Sequence, residues 1–184
     1  MKRVIMIVLV LIVACCGTIV ICGRIERDDQ VFEKNRASDN QGWCSLHDCE
    51  MDASVILSYL RTKEFFDQNR EVLVYEDVVK AYEKEYGSLK YGLVYVTEDD
   101  VPELLVNLQD YWISLYTSVD GNLYAIMEQA AYGTWGRTYT YREKEGLINS
   151  YVYSFEEGIQ VNHEECYRIN EDYKLEELVP GELL

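Results

Sequence analysis

Three short breaks, Asp120-Gly121-Asn122, Lys144-Glu145-Gly146 and Glu156-Glu157-Gly158, separate runs rich in Tyr, Val, Ile, Leu and Thr. β-branched and aromatic side chains pack well on a pleated surface, so such runs form strands. A break of this length turns a strand back beside itself and leaves no room for the helix that a parallel crossover needs. Successive strands must therefore pair antiparallel, as a meander. Strands are expected over residues 91–97, 103–108, 111–118, 123–128, 137–142, 147–155 and 159–169, with a short last segment over 174–178.

Before the strands the apolar period lengthens. Val55, Ile56, Tyr59, Leu60 and Phe66 fall on one helical face, with Arg61, Lys63, Glu64 and Asp67 largely opposite. A second helix fits residues 76–86, where Val78, Val79, Tyr82 and Tyr86 share a face. Glu76 and Asp77 open it, as the helix dipole favours, and Gly87 stops it. The fold class is α+β: an N-terminal transmembrane helix, two helices, then an antiparallel β-meander of about six to eight strands.

The membrane segment is residues 4–22, 19 positions without an ionised side chain. At ~1.5 Å per residue a helix of that length spans nearly the whole hydrocarbon core. Lys2 and Arg3 precede it, and the positive-inside rule then places the rest of the chain outside the cytoplasm. Three forms fit these residues: an uncleaved anchor, a secreted form cut near Ala14 to Gly17, and a lipoprotein. The last rests on Ile12-Val13-Ala14-Cys15, which resembles a lipobox with Cys15 as the lipidated residue. The division is an anchor or signal segment over 1–23, a polar linker over 24–42 and an extracytoplasmic domain over 43–184.

Acidic residues number 33 against 17 basic ones, a net charge of −16. That field repels nucleic acid and anionic lipid, so a nucleic-acid partner is not expected. It also keeps a surface domain soluble. Of the six cysteines, Cys44, Cys49 and Cys166 lie beyond the anchor. In an oxidising location one disulfide and one further thiol is the simplest arithmetic. Cys44 and Cys49 are the disulfide candidates, close enough in sequence to close a small loop; Cys166 pinning the N-terminal region to the sheet is the alternative.

The stretch Tyr91-Gly92-Leu93-Val94-Tyr95-Val96-Thr97-Glu98-Asp99-Asp100-Val101-Pro102-Glu103-Leu104-Leu105-Val106 resembles a recurrent element of uncharacterised extracytoplasmic proteins of Gram-positive gut bacteria. These membrane-anchored or lipoprotein-like proteins carry a segment of the type YALYDIDGDGIPELLV, followed by tyrosine-rich strands. The likeness covers roughly residues 75 to 178 by the pattern of elements and is most specific over Val101-Pro102-Glu103-Leu104-Leu105. It implies an extracytoplasmic location, a tyrosine-rich meander and a short calcium loop with oxygen ligands at alternate positions. The first two loop aspartates of the family fall on Tyr95 and Thr97, the third on Asp99 and the glutamate on Glu103. The loop glycines are Glu98 and Asp100. With two carboxylates gone, the metal candidates are Asp99 and Glu103, and calcium at this loop would be weak.

Other constellations resolve blandly. Cys44, His47, Asp48 and Cys49 lack the second ligand pair of a structural zinc site. On a strand His163 and Glu165 point one way, Glu164 and Cys166 the other, which denies a Cys–His pair. Gly-x-Ser-x-Gly, Walker A and dinucleotide-binding glycine patterns do not occur. Tyr139 with Tyr141, and Tyr151 with Tyr153, each share a strand face. Exposed, they would stack on sugar or peptide; otherwise they fill a half-buried sheet. The expectation is a non-enzymatic, membrane-tethered binding domain with a protein or glycan ligand at the cell surface, no assigned catalytic residue and no cofactor beyond weak calcium. The alternative is a cell-envelope hydrolase using an unidentified carboxylate pair.

Overall fold

A computed structural model describes residues 42–47, 49–62, 73–108, 111–133, 136–156 and 159–179. The anchor at residues 4–22, the linker up to residue 41, Cys15 and Phe66 lie outside the described residues. Among the described residues no helix is long and apolar enough to cross a membrane.

The chain is α+β. Strand β1 (Trp43–Ser45) is followed by helices α1 (Ala53–Leu60) and α2 (Tyr75–Tyr86). Eight further strands follow: β2 (Lys90–Val94), β3 (Glu103–Leu108), β4 (Trp112–Val119), β5 (Asn122–Ala131), β6 (Arg137–Arg142), β7 (Leu147–Glu156), β8 (Ile159–Ile169) and β9 (Leu175–Glu177). All pairings are antiparallel.

The single meander read from the sequence is in fact two. Sheet B has the order β2-β3-β4-β5, and sheet A the order β1-β6-β7-β8-β9. The break lies between β5 and β6. Near the end of β5, Gln129 takes a left-handed φ of 47°, and Gly133 and Gly136 follow at 66° and 70°. A Cβ on Gly136 would come within 2.8 Å of the Tyr153 carbonyl oxygen, so only glycine fits this corner. The β4–β5 turn behaves as its sequence implies, with Asp120 and Gly121 both left-handed and Val119 paired with Asn122. Strand β1 opens the domain expected over 43–184 and is not among the strands expected from the sequence. Three residues carry too little alternation to announce a strand, and its pairing partner lies about a hundred residues away.

Sheet B is covered on both faces. On one, Tyr91, Leu93, Leu104 and Val106 are buried near Ile56, Leu60, Val78 and Val79 of the helices. Hydrogen bonds from the Tyr91 hydroxyl to Val79 O and from the Tyr75 hydroxyl to Pro102 O fix this packing. Arg61 clasps the two helices together through a bidentate pair with Glu76, at 2.7 and 2.6 Å. The opposite face of sheet B contributes Val94, Leu105, Ile113 and Leu115 to one core with Cys44, Tyr139, Tyr141 and Ile148 of sheet A. The order is helices, sheet B, sheet A. The second face of sheet A is the outer one.

Candidate functional site

The loop joining β2 to β3 carries the two metal candidates, and the structure brings them together. Asp99 Oδ1 accepts from Val101 N at 2.9 Å and from the Thr97 hydroxyl at 3.1 Å. Glu103 Oε2 accepts from Val96 N at 2.6 Å. The Thr97 hydroxyl also lies 2.5 Å from Glu103 Oε1, with the Thr117 hydroxyl 3.5 Å away. A threonine hydroxyl has one proton to give. Serving Asp99, it leaves the short contact to be completed by a proton on Glu103. Burial, the largest cause, pushes the Glu103 carboxyl up to about 7 against the pull of those donors, and the Asp99 charge adds to the rise.

Charge balance at this loop comes from the other sheet. The turn between β6 and β7 donates Lys144 N to Tyr95 O at 3.0 Å and Gly146 N to Val96 O at 2.8 Å. The Lys144 ammonium pairs with Asp100 and stands 5.3 Å from the centre of the Tyr95 ring. A lysine 44 positions downstream thus meets the acidic loop. Among the described residues no group of three or more His, Cys, Asp or Glu is arranged to hold a metal ion. Glu103 is 0% exposed. No substrate reaches it in this structure, and the loop acts as a tie between the sheets.

The disulfide candidates share one region of the fold. Cys44 and Cys49 are both buried in the core between the sheets. Cys166 pairs with Asn149 on β8 and faces the outer side of sheet A, whereas Cys44 sits opposite Tyr141 on the inner side. A Cys44–Cys166 bridge would have to pass through the sheet, which excludes that pairing. Between the two core thiols, His47 stacks on Tyr132 with ring centroids 3.9 Å apart and accepts from Tyr139 N at 3.1 Å through Nε2. Its proton therefore resides on Nδ1, and burial lowers the imidazole to about 4.

The strand faces sort the tyrosines. Tyr139 and Tyr141 point into the core, while Tyr151 and Tyr153 lie on the outer face. An outer tyrosine ladder thus exists on β7 alone. Glu164 and Cys166 share this face, because the Asn149 amide donates to Glu164 Oε1 at 2.7 Å.

Four strands meet on the outer face of sheet A. One row across the strands is Trp43, Arg142, Leu147 and Arg168; the next is Ser45, Thr140, Asn149 and Cys166; the third includes Thr138, Tyr151 and Glu164. The Arg142 guanidinium carbon lies 5.1 Å over the Trp43 ring. Thr140 Oγ1, Asn149 Oδ1 and Arg142 Nε are buried atoms without a hydrogen-bond partner among the described residues. Asn149 is only 2% exposed. A buried polar atom left unmet costs about 1–3 kcal/mol, and bridging water is the usual partner of such groups.

None of these three residues is singled out by motif. Their signal is an asparagine in the middle of an apolar strand, Leu147-Ile148-Asn149, where β propensity disfavours it. No protein-family model, curated protein or solved structure matches this chain.

Proposed function

We propose that this chain is a membrane-tethered extracytoplasmic binding domain that works without catalysis. Residues 4–22 form the tether and residues 43–184 the exposed domain, whose ligand is a protein or glycan at the cell surface. One observation carries the reading. The outer face of sheet A presents Tyr151 and the 43% exposed Tyr153 along one strand, with Trp43 and Arg142 beside them. Exposed aromatic side chains on a sheet face stack on sugar rings or on peptide.

The competing hydrolase needs two carboxyl groups flanking a substrate. The carboxyl group raised to about 7 is Glu103, with Asp99 beside it, but burial withdraws Glu103 from any substrate. Nothing in the described geometry favours that second reading.

The test is affinity capture from native membranes with the full chain as bait, alongside a glycan array. Specific capture of a surface protein or glycan is expected. Blank results in both, or recovery of the intact chain free in cytosol, would sink the proposal.

A further inference from the structure

We infer that the outer edge of strand β5 is a docking site for a short extended segment of a cationic protein, which adds to sheet B as a further strand. This rests on the reading of the domain as a binder and adds a second place, apart from the face of sheet A, with a partner chemistry.

The end strand of a sheet exposes backbone N–H and C=O groups that another chain can pair with. Proteins blunt such edges by keeping them short, covering them, or placing Lys or Pro on them. Three of the four edges here are blunted. Strands β1 and β9 are three residues long each. The outer side of β2 is met by Met51, which exchanges backbone bonds with Tyr91 at 3.1 and 2.9 Å. Strand β5 is different. It runs for ten residues without Lys or Pro and, among the described residues, pairs only with β4.

The hairpin register shows which groups face outward. Val119 and Asn122 close the Asp120-Gly121 turn as a hydrogen-bonded pair. Alternate pairs of an antiparallel ladder then turn their N–H and C=O away from the partner strand. These are Leu123, opposite Ser118, and Ala125, opposite Tyr116. Beyond Ala125 the register shifts and Gln129 turns left-handed, which bends the strand and ends the regular edge. Leu123 is 41% and Tyr124 38% exposed, and the Tyr124 ring centre lies 4.8 Å from that of Tyr173. An incoming strand thus meets backbone partners and apolar surface together.

Charge selects the occupant. Residues 91–136, which run from β2 past the end of β5, hold seven Asp and Glu and no Lys or Arg. Exposed Asp120 and Glu128 bracket the outward-facing groups. Helix α2 reaches β5 where the Gln129 amide donates to the Tyr86 hydroxyl, and its Lys84 stands between Glu83 and Glu85. Lys174, next to Tyr173, follows Glu171 and Asp172. An edge without its own lysine, in a negative field, favours a segment that carries Lys or Arg. A second copy fits less well. Two β5 strands paired two-fold through Leu123 and Ala125 would bring Asp120 of one copy toward Glu128 of the other. Each chain also carries −16.

The probes are synthetic peptides titrated by fluorescence anisotropy against the full chain in detergent: Lys-Thr-Val-Thr-Val-Lys, the same core with Glu at both ends, and the Lys form with alternate amides N-methylated. The Lys form is expected to bind roughly tenfold tighter than the Glu form and to weaken as salt is added. N-methylation removes the strand's donors and is expected to abolish binding. Ala125→Pro removes an outward N–H without breaking the β4–β5 ladder, and Leu123→Lys puts a repelling charge on the edge. Each is expected to weaken the Lys form roughly tenfold with the melting temperature level, because both positions are exposed. No binding of the Lys form, equal binding of the Glu form, or affinity that both variants leave unchanged overturns the site. A dimer that Ala125→Pro dissociates in the analytical ultracentrifuge makes a second copy the occupant and overturns the cationic partner. Membrane capture and the glycan array keep the two readings apart. A specific partner there, with the peptides failing here, overturns the edge alone; blanks throughout remove both.

Discussion

Sheet B and sheet A differ in how many faces they bury, and the difference sorts their polar groups. Sheet B lies between the helices and sheet A; Leu104 on one face and Leu115 on the other are both 0% exposed. Its buried carboxyl, Glu103, is met by a backbone N–H and two hydroxyls. Sheet A buries one face only. Of the six buried side-chain atoms without a partner among the described residues, those of Thr140, Arg142 and Asn149 lie on its outer side, that of Ser150 on its packed inner face, and that of Asn107 in sheet B. Sheet B is the buried middle layer, and the outer face of sheet A is the surface that the proposed binding would use.

The comparison is most easily broken by truncation. Leu104→Ala and Leu115→Ala should each lower unfolding stability by about 3 kcal/mol, through lost transfer energy and the cavity left behind. Urea denaturation measures this. Values below about 1 kcal/mol at both positions would mean that sheet B is not the packed layer described.

A second test uses pH. Glu103 is raised to about 7 from 4.5, so the folded chain holds its proton more firmly than the unfolded chain. The stability this provides is fully present below pH 4.5 and is lost as pH rises toward 7. His47 is lowered to about 4 from 6.5, so its contribution is present above pH 6.5 and is lost as pH falls toward 4. The two slopes oppose each other between pH 4.5 and 6.5. Glu103 is worth up to about 3 kcal/mol and His47, being partly exposed, about 2 kcal/mol. The native profile should therefore be nearly flat across that window. Glu103→Gln should unmask a loss of stability on acidification, and His47→Gln a loss on going alkaline. Denaturation midpoints of the three proteins, taken from about pH 7 down to about pH 4, decide it. Parallel profiles would show that neither group titrates as its surroundings dictate.

Most strands and the second helix were legible from the chain, and for a physical reason. Alternation and turn residues are local, so β3, β6 and β8 lie where Glu103, Arg137 and Ile159 open their runs. Division into two sheets was not legible, because the left-handed positions at Gly133 and Gly136 mark a turn after β5 without saying which strand β6 will pair with. The acidic loop was visible in the chain, yet its counter-charge, Lys144, is distant in sequence and belongs to no motif. The first helix ends at Leu60, with Arg61 as its cap, and Val55 on its expected apolar face is exposed. Periodicity marked the face but could not say how much of it sheet B would cover. Thr140 and Asn149 gained their meaning only when β6 and β7 were paired.

Two smaller effects sharpen the contrast. The Arg61–Glu76 clasp holds together the helices over sheet B, and the Arg61 guanidinium, as the largest cause, lowers Glu76 to about 2. Because Arg61 is largely exposed, Glu76→Gln should cost only about 0.5–1 kcal/mol near neutral pH. The depressed carboxyl contributes above pH 4.5 and ceases to contribute as pH falls toward 2. The variant and native midpoints should therefore converge in acid. If they stay apart, the clasp works through packing rather than charge.

Tyr153→Ala should do least of all. Its side chain is 43% exposed on the outer face of sheet A, so stability should change by less than about 0.5 kcal/mol. The smallness is the point. A tyrosine kept on a strand for packing would cost several times more when truncated, as the buried Tyr139 and Tyr141 on the inner face should. A loss above about 1.5 kcal/mol at Tyr153 would mean that the outer face is itself covered in the folded chain. Sheet A would then be no more available to a ligand than sheet B.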